Sequence, residues 1–212
     1  MTDIMANPFF TPILTLVLSM TFWFVFSDGS THEKKALLST FSDVVFYFVL
    51  LLFGTNLILN FNDVLATPYR ILLFSSNVVW IATFFIILWG VKKYGDKLWN
   101  HPDKARNIGL LFAFIGLINH LSLYYTYSNV QAVLFILLYI VIIIGLSSTP
   151  FLKRMNPLFV LFIIGFIHLI ITYGQSVIYL NFVFYPIPLF ALFILLTSLL
   201  YYKRRNLSSE QK

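Results

Sequence analysis

The sequence predicts an all-α integral membrane protein, a single seven-transmembrane-helix bundle with its N-terminus outside and its C-terminus in the cytoplasm. Three observations predict it. Of 212 residues, 59% are apolar and only 10% are charged, against roughly half and a quarter in soluble domains. Apolar runs follow one another from end to end, so residues 1–212 read as one polytopic domain with no soluble module. Once seven runs are counted, the basic residues fall almost wholly on one side. No soluble fold of this length could hide so much apolar surface, because many residues of a soluble domain must face water.

A helix needs about 20 apolar residues to cross the hydrocarbon. The expected spans lie near 9–26, 37–59, 69–91, 108–125, 130–147, 158–173 and 182–202. The first, Phe9–Phe26, reads as a retained span and not a signal peptide. Its flank has no Lys or Arg, carries Asp3, and shows no small-x-small site before SDGS. SDGSTHEKK leads to Leu37–Leu59, and NFNDVLATP leads on to Tyr69–Val91. KKYGDKLWNHPDKAR precedes Ile108–Tyr125, and TPFLKRMNP precedes Leu158–Tyr173. Pro and charge at these breaks let the backbone leave the bilayer. Two breaks carry no charge: YTYSN before Val130–Ser147, and YGQSVIYLN before Phe182–Tyr202. In the last span Pro186 and Pro188 each lack an N–H donor, so its first part cannot be a regular helix throughout.

Lys and Arg test the two uncharged breaks, since cytoplasmic loops are enriched in them. Lys34, Lys35, Lys92, Lys93, Lys97, Lys104, Arg106, Lys153, Arg154, Lys203, Arg204, Arg205 and Lys212 fall on one side. Arg70 alone falls on the other. Deleting either uncharged break would scatter this set. The net charge of +6 is therefore a topology signal and not a nucleic-acid footprint, because the basic residues sit in short gaps between apolar runs. The expected partners are the lipid bilayer and a membrane protein, with no nucleic acid. The lack of Cys excludes disulfides, thiolate metal sites and a cysteine nucleophile. Trp23, Trp80, Trp89 and Trp99 suit interfacial belts.

Ionisable groups inside the hydrocarbon are costly and normally face the bundle interior. His120 and His168 are the candidates. Gly109, Ala113, Gly116 and His120 share one helical face, as do Gly165, His168, Thr172 and Gln175. Small residues on such a face admit a close neighbour. At 1.5 Å per residue, His120 stands about 18 Å and His168 about 15 Å from the inner ends of their spans, a similar depth. Three readings follow. Each His can simply bond a neighbouring helix. The two can line an outward polar pocket with Asn119, Thr172, Gln175, Asn77 and Asn56, rimmed by Tyr124, Tyr125 and Tyr127. Or, ranked last, they can ligate a haem, which needs two imidazoles on facing helices. No resident cofactor or metal is expected. Asp43, about two turns into the second span with Tyr47 on its face, is an ion- or proton-site candidate, though an interfacial Asp is the usual case. Asp63 and Arg70 form a solvated pair in the same way.

Gly-x-Ser-x-Gly, His-Glu-x-x-His and phosphate-loop motifs are absent, and the last span has no lysine to hold a retinal. The expectation is a non-enzymatic sensor, accessory or immunity-type component that recognises an outer-leaflet or extracytoplasmic ligand, or a membrane partner. The alternative is a small transporter or its substrate-binding membrane subunit. The bias to Phe, Ile, Leu, Lys and Asn points to a bacterial plasma membrane.

Overall fold

The computed structural model describes residues 10–99, 102–148, 157–172 and 175–210. Of the described residues, 87% are helical. In chain order the helices are α1 (Phe10–Phe26), α2 (Thr31–Leu59), α3 (Phe61–Ala66), a 3-10 turn (Pro68–Leu72), α4 (Ser76–Trp99), α5 (Pro102–Tyr127), α6 (Val130–Ser148) and α7 (Pro157–Thr172). A hairpin of β1 (Val177–Tyr179) and β2 (Phe182–Phe184) follows, then α8 (Pro186–Glu210). Among the described residues, four helices are long and apolar enough to cross a membrane: Thr31–Leu59, Ser76–Tyr94, Arg106–Tyr127 and Val130–Ser147. The apolar stretches Thr11–Phe26, Ile163–Thr172 and Pro186–Tyr202 are shorter.

Local chemistry explains most boundaries. α2 starts six residues before the expected Leu37, because Ser30 and Glu33 form a reciprocal capping box. The uncharged YTYSN break is a real turn: Ser128 takes a left-handed conformation, and the Asn129 side chain accepts the Gln131 N–H as the N-cap of α6. Two expected spans are corrected. The third begins at Ser76 and not Tyr69, since Pro68–Leu72 coil into a 3-10 turn. The buried Asn56 amide holds that turn by donating to the carbonyls of Arg70, Ile71 and Leu73 at 2.9–3.3 Å. The seventh begins at Pro186, because Phe182–Phe184 is a strand. The proline does not break a helix; it sits at the first helical position, where its missing N–H is no loss.

The break read as YGQSVIYLN is thus half of a β-hairpin. Val177 pairs with Phe184 and Tyr179 with Phe182, leaving a two-residue turn. Leu180 and Asn181 both have positive φ, 51° and 64°. That is the mirror-image turn hairpins favour, and it normally selects Asn and Gly. Leucine is costly there, so something must hold it.

Helix contacts form two groups. α1 packs on α5 and α5 on α6; α2 packs on α4, α4 on α8, and α8 on α7. α5 is the central post, with 50% of its apolar window buried, whereas α2 has 6% buried and presents its sides outward. The hairpin wedges between the groups. Val177 packs with Ala113, Phe135 and Tyr139 of the first, and Phe184 with Val78, Val79 and Leu52 of the second.

At the opposite end of the bundle, Trp23 is fully buried and its indole N–H donates to the Asn107 carbonyl at 2.7 Å, so it is a core residue and not a belt residue. Arg106 pairs with Asp28 at 2.8 Å, and Lys34 donates to the Phe24 carbonyl at the end of α1. Lys93 lies over the rings of Tyr47, Trp89 and Tyr94 at 4.7–5.6 Å, a cation–π cluster that does suit an interface. Trp80 instead meets Phe184 edge-on. The Trp99 side chain and the Lys153–Arg154 loop lie outside the described residues.

Candidate functional site

The small-residue stripe of α5 does what its spacing implies. Ala113 is buried, Gly109 approaches Leu146, and a Cβ added at Gly116 would collide with the hydroxyl end of the Tyr139 ring. That contact draws α6 onto α5 and places His120 one turn further along, buried to 1% exposure. The α7 stripe repeats the device against α8: a Cβ at Gly165 would lie 2.7 Å from Phe193 Cγ, and His168 is 3% exposed.

Both histidines therefore point inward, and the ring of Phe135 touches each, at centroid distances of 4.5 and 5.3 Å. Each Nδ1 lies 2.8 Å from a carbonyl of its own helix, Gly116 for His120 and Ile164 for His168. A carbonyl only accepts, so Nδ1 carries a proton, and in the neutral imidazole that leaves the lone pair on Nε2.

There the two diverge. His168 Nε2 meets the hydroxyl of Tyr179 at 2.7 Å and that of Tyr139 at 3.0 Å, and the hydroxyls are 2.7 Å apart. One hydroxyl donates to the ring while the other donates to the first, which closes the network. His120 Nε2 is buried with no hydrogen-bond partner among the described residues. The His120 ring lines a cavity of about 40 Å³ between the last turns of α5, the first turns of α6 and the lead-in to β1. Leu123, Asn129, Gln131, Phe135 and Ser176 are among its lining residues. Ser176 and Asn129 of this lining are exposed.

Asn119 has a different task from its neighbour. Its amide donates to the Ile178 carbonyl at 2.8 Å, and its oxygen accepts the Leu180 N–H at 2.9 Å. It thereby holds the costly positive-φ Leu180 and clasps the hairpin to α5. Adjacent residues on α5 thus serve as clasp and acceptor.

The other expected pocket residues are dispersed. Thr172 is buried, but its hydroxyl donates to the Leu169 carbonyl of its own helix. Gln175 and Asn77 are exposed and do not line the cavity. Asn56 belongs to the 3-10 turn. Asp43 is exposed, one turn from the Tyr47 of the Lys93 cluster. Arg70 pairs with Asp63 at 3.3 Å as a largely solvated bridge. Tyr124, Tyr125 and Tyr127 are exposed and stand outside the cavity lining. A haem between the histidines finds no matching geometry: Phe135 contacts both rings, and the tyrosines engage His168 Nε2. Among the described residues no group of three or more His, Cys, Asp or Glu gathers as a metal site.

Four contributors were not anticipated. Gln131, Phe135 and Tyr139 lie four apart on α6, and that stripe was legible as one face. Gln131 donates to the Ile171 and Thr172 carbonyls at the end of α7, which joins α6 to α7. Tyr179 belongs to the hairpin, whose sign was VIY and FVF flanking a two-residue loop.

No protein-family model, curated protein or solved structure matches the chain.

Proposed function

We propose that this chain is a non-enzymatic, seven-span membrane protein of the sensor, accessory or immunity type, and that it recognises a small ligand group through the cavity at His120. The unpartnered Nε2 of His120 carries the reading. A buried polar nitrogen costs free energy unless something pairs with it, and this one belongs to a ring that lines a cavity together with the exposed Asn129 and Ser176. Thirteen of the fourteen basic residues on one side of seven spans support placing the cavity outside. On that topology the hairpin bridges both helix groups beside the cavity and runs directly into α8, so an occupant would bias the packing of a helix that ends in the cytoplasm.

Passage of a substrate has less support. One turn further along α5 and α6, the Gly116–Tyr139 contact and Phe135 close the space behind His120. Recognition is therefore favoured over transport.

Native mass spectrometry of the protein released gently from its membrane tests the reading. The wild type should retain a discrete small adduct that His120→Leu lacks and His168→Phe keeps. Identical spectra for the wild type and His120→Leu would sink it. Reporter fusions test the topology separately: a C-terminal reporter should work only in the cytoplasm, and an N-terminal tag should label only from outside. Labelling of both ends from one side would remove the seven-span count.

A further inference from the structure

The chemistry of the cavity narrows what it can take. None of its lining residues is Asp, Glu, Lys or Arg. A buried ammonium would have no counter-charge, and a buried carboxylate or phosphate no cation, at a cost of several kcal/mol per ion. The Nε2 lone pair, left by the Nδ1–Gly116 bond, repels an anion and accepts from a donor. The Gln131 Nε2 donates to the α7 carbonyls and Asn119 holds the hairpin, so neither amide NH2 offers a donor to an anion. The walls at Leu123, Ala132 and Val177 are apolar and suit carbon. A volume of about 40 Å³ admits roughly three water-sized groups, taking about one probe sphere of 10–15 Å³ for each.

We infer that the cavity binds an uncharged hydroxyl-bearing carbon fragment of two or three heavy atoms, such as the end of a glycerol unit, with the hydroxyl donating to His120 Nε2 and the carbons against Leu123, Ala132 and Val177. The inference rests on the cavity being the recognition site proposed above. A free polyol and the glycerol headgroup of a lipid present the same chemistry.

Imidazole-¹⁵N-labelled histidine in the full-length protein provides the test, with the protein in phosphatidylcholine nanodiscs and His120 and His168 assigned from His120→Phe and His168→Phe. Glycerol, ethylammonium and acetate are titrated separately, and phosphatidylglycerol is added to the bilayer in a fourth arm. The expected result is a saturable upfield movement of the His120 Nε2 resonance with glycerol or phosphatidylglycerol, and none with ethylammonium or acetate. The His168 resonance should stay still throughout, since its Nε2 already has hydroxyl partners. A response to phosphatidylglycerol without free glycerol identifies the lipid as the source; a response to glycerol alone identifies a soluble polyol. Ala132→Leu, which fills the cavity without touching its hydrogen bonds, should weaken the response roughly tenfold, equivalent to about 1.4 kcal/mol. An equal response in Ala132→Leu would mark a bulk-solvent effect and overturn the inference. A comparable response to ethylammonium or acetate would overturn the ligand class and leave the recognition site standing. Silence towards all four probes would mean a resident water only and overturn the class; the native spectra above decide the recognition reading independently.

Discussion

The neighbourhoods of His120 on α5 and His168 on α7 begin from the same pattern. Each has a glycine three or four residues before an inward histidine, and each Nδ1 is tied to its own helix. They end differently because of what faces them. His168 meets two tyrosine hydroxyls, one from α6 and one from the hairpin, and becomes a packed hydrogen-bond node. His120 meets the Phe135 face and a cavity. A shared helical stripe therefore determines that a histidine points inward. Whether that histidine is structural or available is decided by residues on other elements.

The most severe break of this comparison is Gly116→Leu. Even a Cβ there collides with Tyr139, so overpacking should cost about 3 kcal/mol or more. It should disturb both sites at once, because Tyr139 bonds His168 while its ring packs beside His120. Thermal unfolding in detergent measures it, and an unchanged melting temperature would contradict the close α5–α6 contact. Next in size, His168→Phe leaves one tyrosine hydroxyl without an acceptor and should cost about 1–3 kcal/mol. His120→Phe breaks no bond at Nε2 and should cost less than about 1 kcal/mol. Equal losses from the two would erase the distinction between node and site.

Asn119→Leu sharpens the comparison at the hairpin. It removes two bonds to the backbone of Ile178 and Leu180, for a loss of about 1–2 kcal/mol. Hydrogen exchange should quicken at the Leu180 amide much more than in mid-α5. Uniform exchange across the chain would argue that Asn119 does not clasp the turn. Smallest of all, Gln175→Ala and Asn77→Ala should each lie within about 0.5 kcal/mol, since both side chains are exposed. An effect above 1 kcal/mol on folding from either would return it to a packed role.

The hairpin shows why part of the site escaped sequence reasoning. In a chain this apolar, VIYLNFVF sits among longer hydrophobic runs, so its period-two character is masked by the helical runs on both sides. Its backbone pairs internally, strand to strand, which satisfies most of its polar groups beside the bundle. Tyr139 was obscure for a related reason: in Val130–Ser148 a tyrosine counts as one more large apolar residue until its hydroxyl finds a partner. Asn56 was placed at the correct end of α2 but assigned to the pocket, because sequence depth cannot tell which of two neighbouring loops a side chain will serve.

The sequence by itself determined the apolar character of this protein's helices, the approximate places where they run, and the inward faces of α5 and α7. Those properties follow from composition and from a 3.6-residue period, which act within one segment. Tertiary structure alone decided that the histidines differ, that Asn119 holds a turn about sixty residues away, and that a strand pair stands where the last span was expected to begin. Such choices depend on which distant donors and acceptors the fold brings within about 3 Å, and a hydrogen bond of that reach leaves no periodic trace in the chain.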